Sequence, residues 1–194
     1  SWPNDPGAAF SAIVQLGPIV AIIIYFWRDL VKYVLGIGRS LQTRVLFPRG
    51  DLDARLGWYV ILGTIPLAVA GLLLEKRVDG EYRNLIFVSI ALILLAIVLW
   101  IAERVSRKTR ALKTLTFGQA MLIGIAQVLA LVPGASRSGV TYTAGLFINL
   151  TREAAIRFSF LLSIPAITLA GLYKLAKVLH TTRLGPEAAP YVFS

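Results

Sequence analysis

Four stretches of the chain carry no charged residue at all: Ala8 to Trp27, Gly57 to Leu74, Asn84 to Ala102 and Phe158 to Tyr173. Each is close to the ~17–25 residues that an α-helix needs to cross a hydrocarbon core. The pattern predicts transmembrane helices over 8–27, 57–74, 84–102 and 158–173. Two further uncharged windows, Thr114 to Ser136 and Ser138 to Leu150, have only Arg137 between them. A helix over the second window would rise only about 20 Å, too short to span. Either Thr114 to Val132 crosses completely, as a fifth span, or the two windows form a re-entrant helical hairpin over 114–150 with its tip, Pro133 to Gly139, inside the membrane.

The charges choose between these. Arg28, Lys32, Arg39, Arg44, Arg49 and Arg55 lie between the first two windows, and Arg104, Arg107, Lys108, Arg110 and Lys113 follow the third. The segment from Glu75 to Arg83 mixes both signs. By the positive-inside rule the two basic segments are cytoplasmic and Glu75 to Arg83 faces outward. A re-entrant hairpin returns Arg152 and Arg157 to the basic side, so the hairpin is the preferred reading. Composition agrees with a membrane class: 57% of residues are hydrophobic and only 15% charged, with a mean hydropathy of +0.73. Too little polar sequence remains to coat a large soluble core. The net charge of +10 sits in short blocks between apolar windows, not on an aromatic-studded polar face, so a nucleic-acid partner is not expected.

The expected fold is therefore all-α: a single integral membrane domain over 1–194 with four or five transmembrane helices and a re-entrant hairpin. "FSAIVQLGP" from Phe10 resembles "FSFLLSIP" from Phe158. The two segments would cross in opposite directions, as inverted-topology repeats require. The start, "SWPNDPGAAF", has no initiator methionine or signal-peptide pattern, and the chain is expected to be a piece of a longer one.

The polar interruption "LVPGASRSGVT" carries the chemistry. Pro133 and Gly134 stop one helix, and Gly139 permits close backbone approach before a new helix from about Val140 to Leu150. The free N–H groups and positive dipole end of that helix, the hydroxyls of Ser136, Ser138 and Thr141, and the Arg137 guanidinium together suit phosphate. An arginine at this depth costs a few kcal/mol on insertion scales. The plainer reading is a snorkelling Arg137 among small packing residues; the polar residues on both its flanks argue against it. Gln15 and Gln127, inside apolar windows, either line a polar cavity or bond between helices, and taken singly the latter is favoured. His180 reads as solvated, and Trp27, Trp58 and Trp100 fit an interfacial belt. All ten acidic residues fall outside the spans and the motif, so an anion receptor is present without the carboxylates that phosphoryl transfer usually requires. There is no cysteine for a disulfide or a thiolate site.

At "PGASRSGVT" the sequence resembles the bacitracin-resistance family of undecaprenyl-pyrophosphate phosphatases, and the likeness extends through "IVQLGPIVAIIIYFWRDL", "ILGTIPLAVAGLLL" and "REAAIRFSFLLSIPAITLAGLYKL". The resemblance implies an enzyme with inverted repeats and two re-entrant hairpins. Its reaction would hydrolyse undecaprenyl pyrophosphate to undecaprenyl phosphate and inorganic phosphate at the outer face of the bacterial inner membrane, recycling the lipid carrier of peptidoglycan synthesis. By motif position Arg137 would bind the pyrophosphate, with Ser136 and Thr141 contacting phosphate or supporting the catalytic geometry. Ser138, Gly134 and Gly139 would shape the tip, and together with Gln127 and Gln15 they complete the candidate substrate-binding set.

The family's first signature, a glutamate-rich helix followed by a proline-valine-serine-serine-threonine-glycine-histidine turn, should precede Ser1. It would supply the acid-base groups and the ligands of a divalent cation, Mg or Ca, so no metal ligand is expected within these residues. The isolated 194 residues are accordingly expected to be inactive. A carrier or flippase for a phosphorylated polyprenyl lipid is the competing reading, because broken helices around an anion site also build transporters. A phosphohistidine enzyme fails for want of a motif around His180. A homodimer and a monomer both fit the sequence.

Overall fold

The computed structural model describes residues 7–48, 50–78, 85–132 and 134–183, with side chains except those of 7–16, 18–19, 74–78 and 172–183. Six α-helices account for most of them: α1 (Gly7–Gln42), α2 (Leu52–Val78), α3 (Leu85–Val105), α4 (Phe117–Ala126), α5 (Arg137–Phe147) and α6 (Arg152–Arg183). No strand occurs among the described residues; one isolated bridge joins Arg110 to Leu150. Leu52–Leu73, Leu85–Val105 and Arg152–Gly171 are long and apolar enough to cross a membrane. The fold is an all-α polytopic membrane architecture. The expected span over 8–27 lies within α1, but most of its side chains fall outside the described residues.

The helices outrun the charge-free windows because their ends recruit polar partners. Asp51 caps α2, its Oδ1 accepting the Ala54 N–H at 3.0 Å while Arg39 donates from Nε to Oδ2 at 2.9 Å. The α1–α2 turn is further tied by Ser40, whose hydroxyl donates to the Val45 carbonyl and accepts from Trp58 Nε1 at 3.1 Å. Trp58 is thus engaged inside the protein, whereas Trp27 and Trp100 are exposed.

Small residues set how closely the helices approach. A Cβ on Gly124 would overlap the Gly63 carbonyl oxygen and lie 2.8 Å from the Gly63 Cα, so α2 and α4 cross backbone to backbone. Gly36 meets the Ala54 backbone in the same way between α1 and α2, and Gly145 meets Ala155 between α5 and α6. The buried core runs through these contacts, with Phe158, Leu161 and Leu162 of α6 against Ile123 of α4 and Leu146 of α5. By contrast α3 buries only Ala102 and leaves Leu85, Ile93, Leu94 and Ile97 exposed, as a lipid-facing helix should.

Candidate functional site

The segment from Phe117 to Phe147 is a helical hairpin. Thr116 and Gln119 form a capping box that starts α4. At Gln127 the helix tightens into a 3-10 turn, Gln127–Leu131, which packs against both α2 and α5. The hairpin's two ends are stitched together: Arg110 N–H donates to the Asn149 carbonyl at 2.9 Å, and Thr151 N–H donates to the Arg110 carbonyl at 2.8 Å. Its arms therefore leave from one end of the molecule.

That end is the basic one. Glu103, in the last turn of α3, accepts from Arg152 Nη2 at 2.7 Å and from the Tyr142 hydroxyl at 2.5 Å, with Lys108 Nζ 3.4 Å away. Arg157 pairs with Asp29 at 2.5 Å and Arg39 with Asp51 at 2.7 Å. The tip lies towards the other end. A Cβ on Gly134 would come within 2.8 Å of Val88 Cγ1 and 3.5 Å of Leu92 Cγ, near the start of α3. By helical rise the tip is roughly 5–10 Å from that end of α3. Gly134 has φ +92, a left-handed conformation that costs a glycine little.

The new helix begins at Arg137, three residues before the Val140 that the sequence suggests. The reason is a cap: Ser136 Oγ accepts the Gly139 N–H at 3.2 Å, turning the chain into helix before Gly139 instead of after it. This fits glycine at 139, since a Cβ there would lie 3.1 Å from Ser136 Cβ and 3.3 Å from its Oγ. Arg137 and Ser138 consequently sit in the first turn, where their backbone N–H groups have no partner among the described residues. Ser138 Oγ is 3.4 Å from Ser136 Oγ.

Arg137 is half-buried, and its guanidinium makes no hydrogen bond or ion pair among the described residues. The other partly buried cations there, Arg55, Lys108, Arg110 and Arg157, all have acceptors. An unpaired guanidinium and two open N–H donors at the positive end of a helix are groups that can hold an anion.

Thr141 sits differently. It is 1% exposed and its hydroxyl donates to the carbonyls of Arg137 at 3.0 Å and Ser138 at 3.2 Å, so it braces the first turn from behind. Thr143 does the same to Gly139 at 2.7 Å. Gln127 is fully enclosed, and neither its Nε2 nor its Oε1 has a partner among the described residues. The interhelical hydrogen bond favoured for it from the sequence is not made. The amide lies where α4 gives way to the 3-10 turn. The Gln15 side chain lies outside the described residues. Sequence reasoning missed the Glu103 cluster, whose members are far apart along the chain.

Among the described residues no group of three or more carboxylates or histidines could hold a metal. Asp29, Asp51 and Glu103 are all committed to arginines. These residues do not fit a divalent cation.

The chain matches the family model described as bacitracin resistance protein BacA over residues 1–192. It is similar to an undecaprenyl-diphosphatase of Arthrobacter sp. (strain FB24), 48% identical over 191 residues that make up 97% of this chain and 66% of the relative. An undecaprenyl-diphosphatase of Myxococcus xanthus (strain DK1622) is 49% identical over 177 residues, 91% of this chain and 59% of the relative. A third, from Pelodictyon phaeoclathratiforme (strain DSM 5477 / BU-1), is 45% identical over 95% of this chain and 67% of its own length. The chain thus spans about two thirds or less of the first of these relatives.

Proposed function

Because the chain belongs to the bacitracin resistance protein BacA family, we propose that the whole protein is an undecaprenyl-diphosphatase of the bacterial inner membrane, releasing inorganic phosphate from undecaprenyl pyrophosphate. Recycling the lipid carrier in this way serves peptidoglycan synthesis and underlies bacitracin resistance. The observation that carries the reading is the unpaired Arg137 in the first turn of α5, beside the open N–H groups of Arg137 and Ser138.

Arg137 grips the pyrophosphate through the two nitrogens of its fork, and the helix N-terminus supplies aligned donors. Charge that develops on the phosphoryl oxygens during transfer meets donors already in place, so little reorganisation is needed. Ser136 holds the turn in shape through its cap, Thr141 braces it, and the Gln127 amide keeps the hairpin interior polar. The activating base and the ligands of a divalent cation, Mg or Ca, would lie outside the described residues, in a protein whose relatives are longer than this chain, and the 194 residues alone are expected to be inactive.

The basic end faces the cytoplasm by the positive-inside rule, and the tip lies nearer the opposite end of α3, which supports a site reached from outside. The test is phosphate release by the full-length protein in detergent with a divalent ion. Arg137→Ala is expected to lower turnover about 10²–10³-fold, with Arg137→Lys intermediate and melting temperature unchanged. Normal turnover in Arg137→Ala would sink the site, and lipid transport without phosphate release would sink the reaction.

A further inference from the structure

At the basic end, away from the hairpin tip, a cavity of about 300 Å³ opens between α1, α2, α6 and the 3-10 turn Leu112–Thr114. Its lining is unusual in carrying both charges in equal number. Asp29 and Arg157 pair with each other at 2.5 Å. The side chains of the remaining four, Lys32, Lys113, Asp53 and Glu153, make no hydrogen bond or ion pair among the described residues. A receptor for a simple anion would show an excess of cations, and a metal site would gather carboxylates; this lining does neither.

The position adds a second constraint. Asp53 and Glu153 are each the second residue of a segment able to cross the membrane, Leu52–Leu73 and Arg152–Gly171. The cavity therefore sits where apolar helix gives way to charged loop, the level of the lipid headgroups. Two free cations suit a phosphate and two free carboxylates suit an ammonium.

We infer that this cavity binds the headgroup of a zwitterionic aminophospholipid of the adjoining leaflet, with its phosphate towards Lys32 and Lys113 and its primary ammonium towards Asp53 and Glu153. A primary ammonium donates three hydrogen bonds, whereas a quaternary ammonium of equal charge donates none. The site therefore discriminates phosphatidylethanolamine from phosphatidylcholine. A glycerol headgroup offers no cation at all. The inference depends on the membrane topology and not on the phosphatase reading, so either can fail alone.

The experiment uses the full-length protein in micelles holding equimolar phosphatidylethanolamine, phosphatidylcholine and phosphatidylglycerol with identical acyl chains, and counts retained lipids by native mass spectrometry. Phosphatidylethanolamine is expected to be retained about tenfold over each of the others, the equivalent of one charge-assisted hydrogen bond. The near-isosteric double variant Asp53→Asn, Glu153→Gln should reduce that preference to within about twofold, and Lys113→Ala should weaken retention of phosphatidylethanolamine. Soluble phosphoethanolamine at millimolar concentration should not displace the lipid; displacement would assign the cavity to a free zwitterion and overturn the lipid source. Equal retention of phosphatidylethanolamine and phosphatidylcholine by the unmodified protein would overturn the proposal without any variant, as would a preference for phosphatidylglycerol.

Discussion

Gly124 is where the hairpin is anchored, and replacing it by alanine tests the packing most directly. Its Cβ would overlap the Gly63 carbonyl oxygen and stand 2.8 and 2.9 Å from the Gly63 Cα and carbonyl carbon. Carbon pairs prefer about 3.5–4.0 Å, so α2 and α4 must separate by roughly 1 Å. All three contacts are with backbone, so no side chain can swing aside. Overpacking of this kind costs about 1–3 kcal/mol, a fall in Tm of roughly 2–10 °C for a domain of this size.

Two other glycines calibrate the result. A Cβ at Gly63 meets Leu162 Cδ1 at 3.1 Å, a flexible end that can move, and a Cβ at Gly118 on α4 itself meets nothing within 4 Å. Alanine should therefore destabilise in the order Gly124, then Gly63, with Gly118→Ala neutral or slightly stabilising through helix propensity. The assay is thermal unfolding in detergent for the three variants. Gly124→Ala melting together with Gly118→Ala would refute the backbone crossing. Phosphate release by the full-length Gly124→Ala protein should also fall, since Gln127 and the 3-10 turn follow directly.

Three further expectations rest on single side chains. Gln127→Met removes an enclosed amide with no partner among the described residues and should raise stability by about 1–3 kcal/mol while lowering phosphate release; a lower Tm would mean the amide is satisfied. Glu103→Gln should loosen the hairpin base, giving faster amide exchange over 106–114 and a larger loss of Tm than Arg152→Ala or Tyr142→Phe, because Glu103 alone holds all three partners; a reversed order would contradict this. The Ala54 N–H and then Arg39 hold the Asp51 carboxyl below its usual value. A lowered folded-state pKa stabilises fully above the unfolded value near 3.9 and is lost as pH falls through the folded one. Asp51→Ala should cost about 0.5–2 kcal/mol near neutrality and progressively less in acid; a cost independent of pH would argue against the cap.

Much of this protein is legible in one dimension because a membrane imposes long-range order on local composition. Charge-free windows mark Leu85–Val105 and the cores of Leu52–Leu73 and Arg152–Gly171, since the hydrocarbon tolerates little else. "PGASRSGVT" also declares itself, because proline, glycine, hydroxyls and one arginine have no packing reason to cluster there.

Other features required three dimensions. Helix ends depend on capping geometry, so Ser136 starts α5 at Arg137 and puts the guanidinium at the helix N-terminus. Whether a hydroxyl faces ligand or braces backbone depends on burial, which separates Thr141 from Ser136. The Glu103 cluster, the pairing of Asp29 with Arg157 across 128 positions and the Gly63–Gly124 crossing join residues with no common sequence pattern. Hydropathy marks the segments that can span and electrostatics favours their orientation. Which residues then meet is decided by steric fit and hydrogen bonding between helices, and those exist only once the helices have packed.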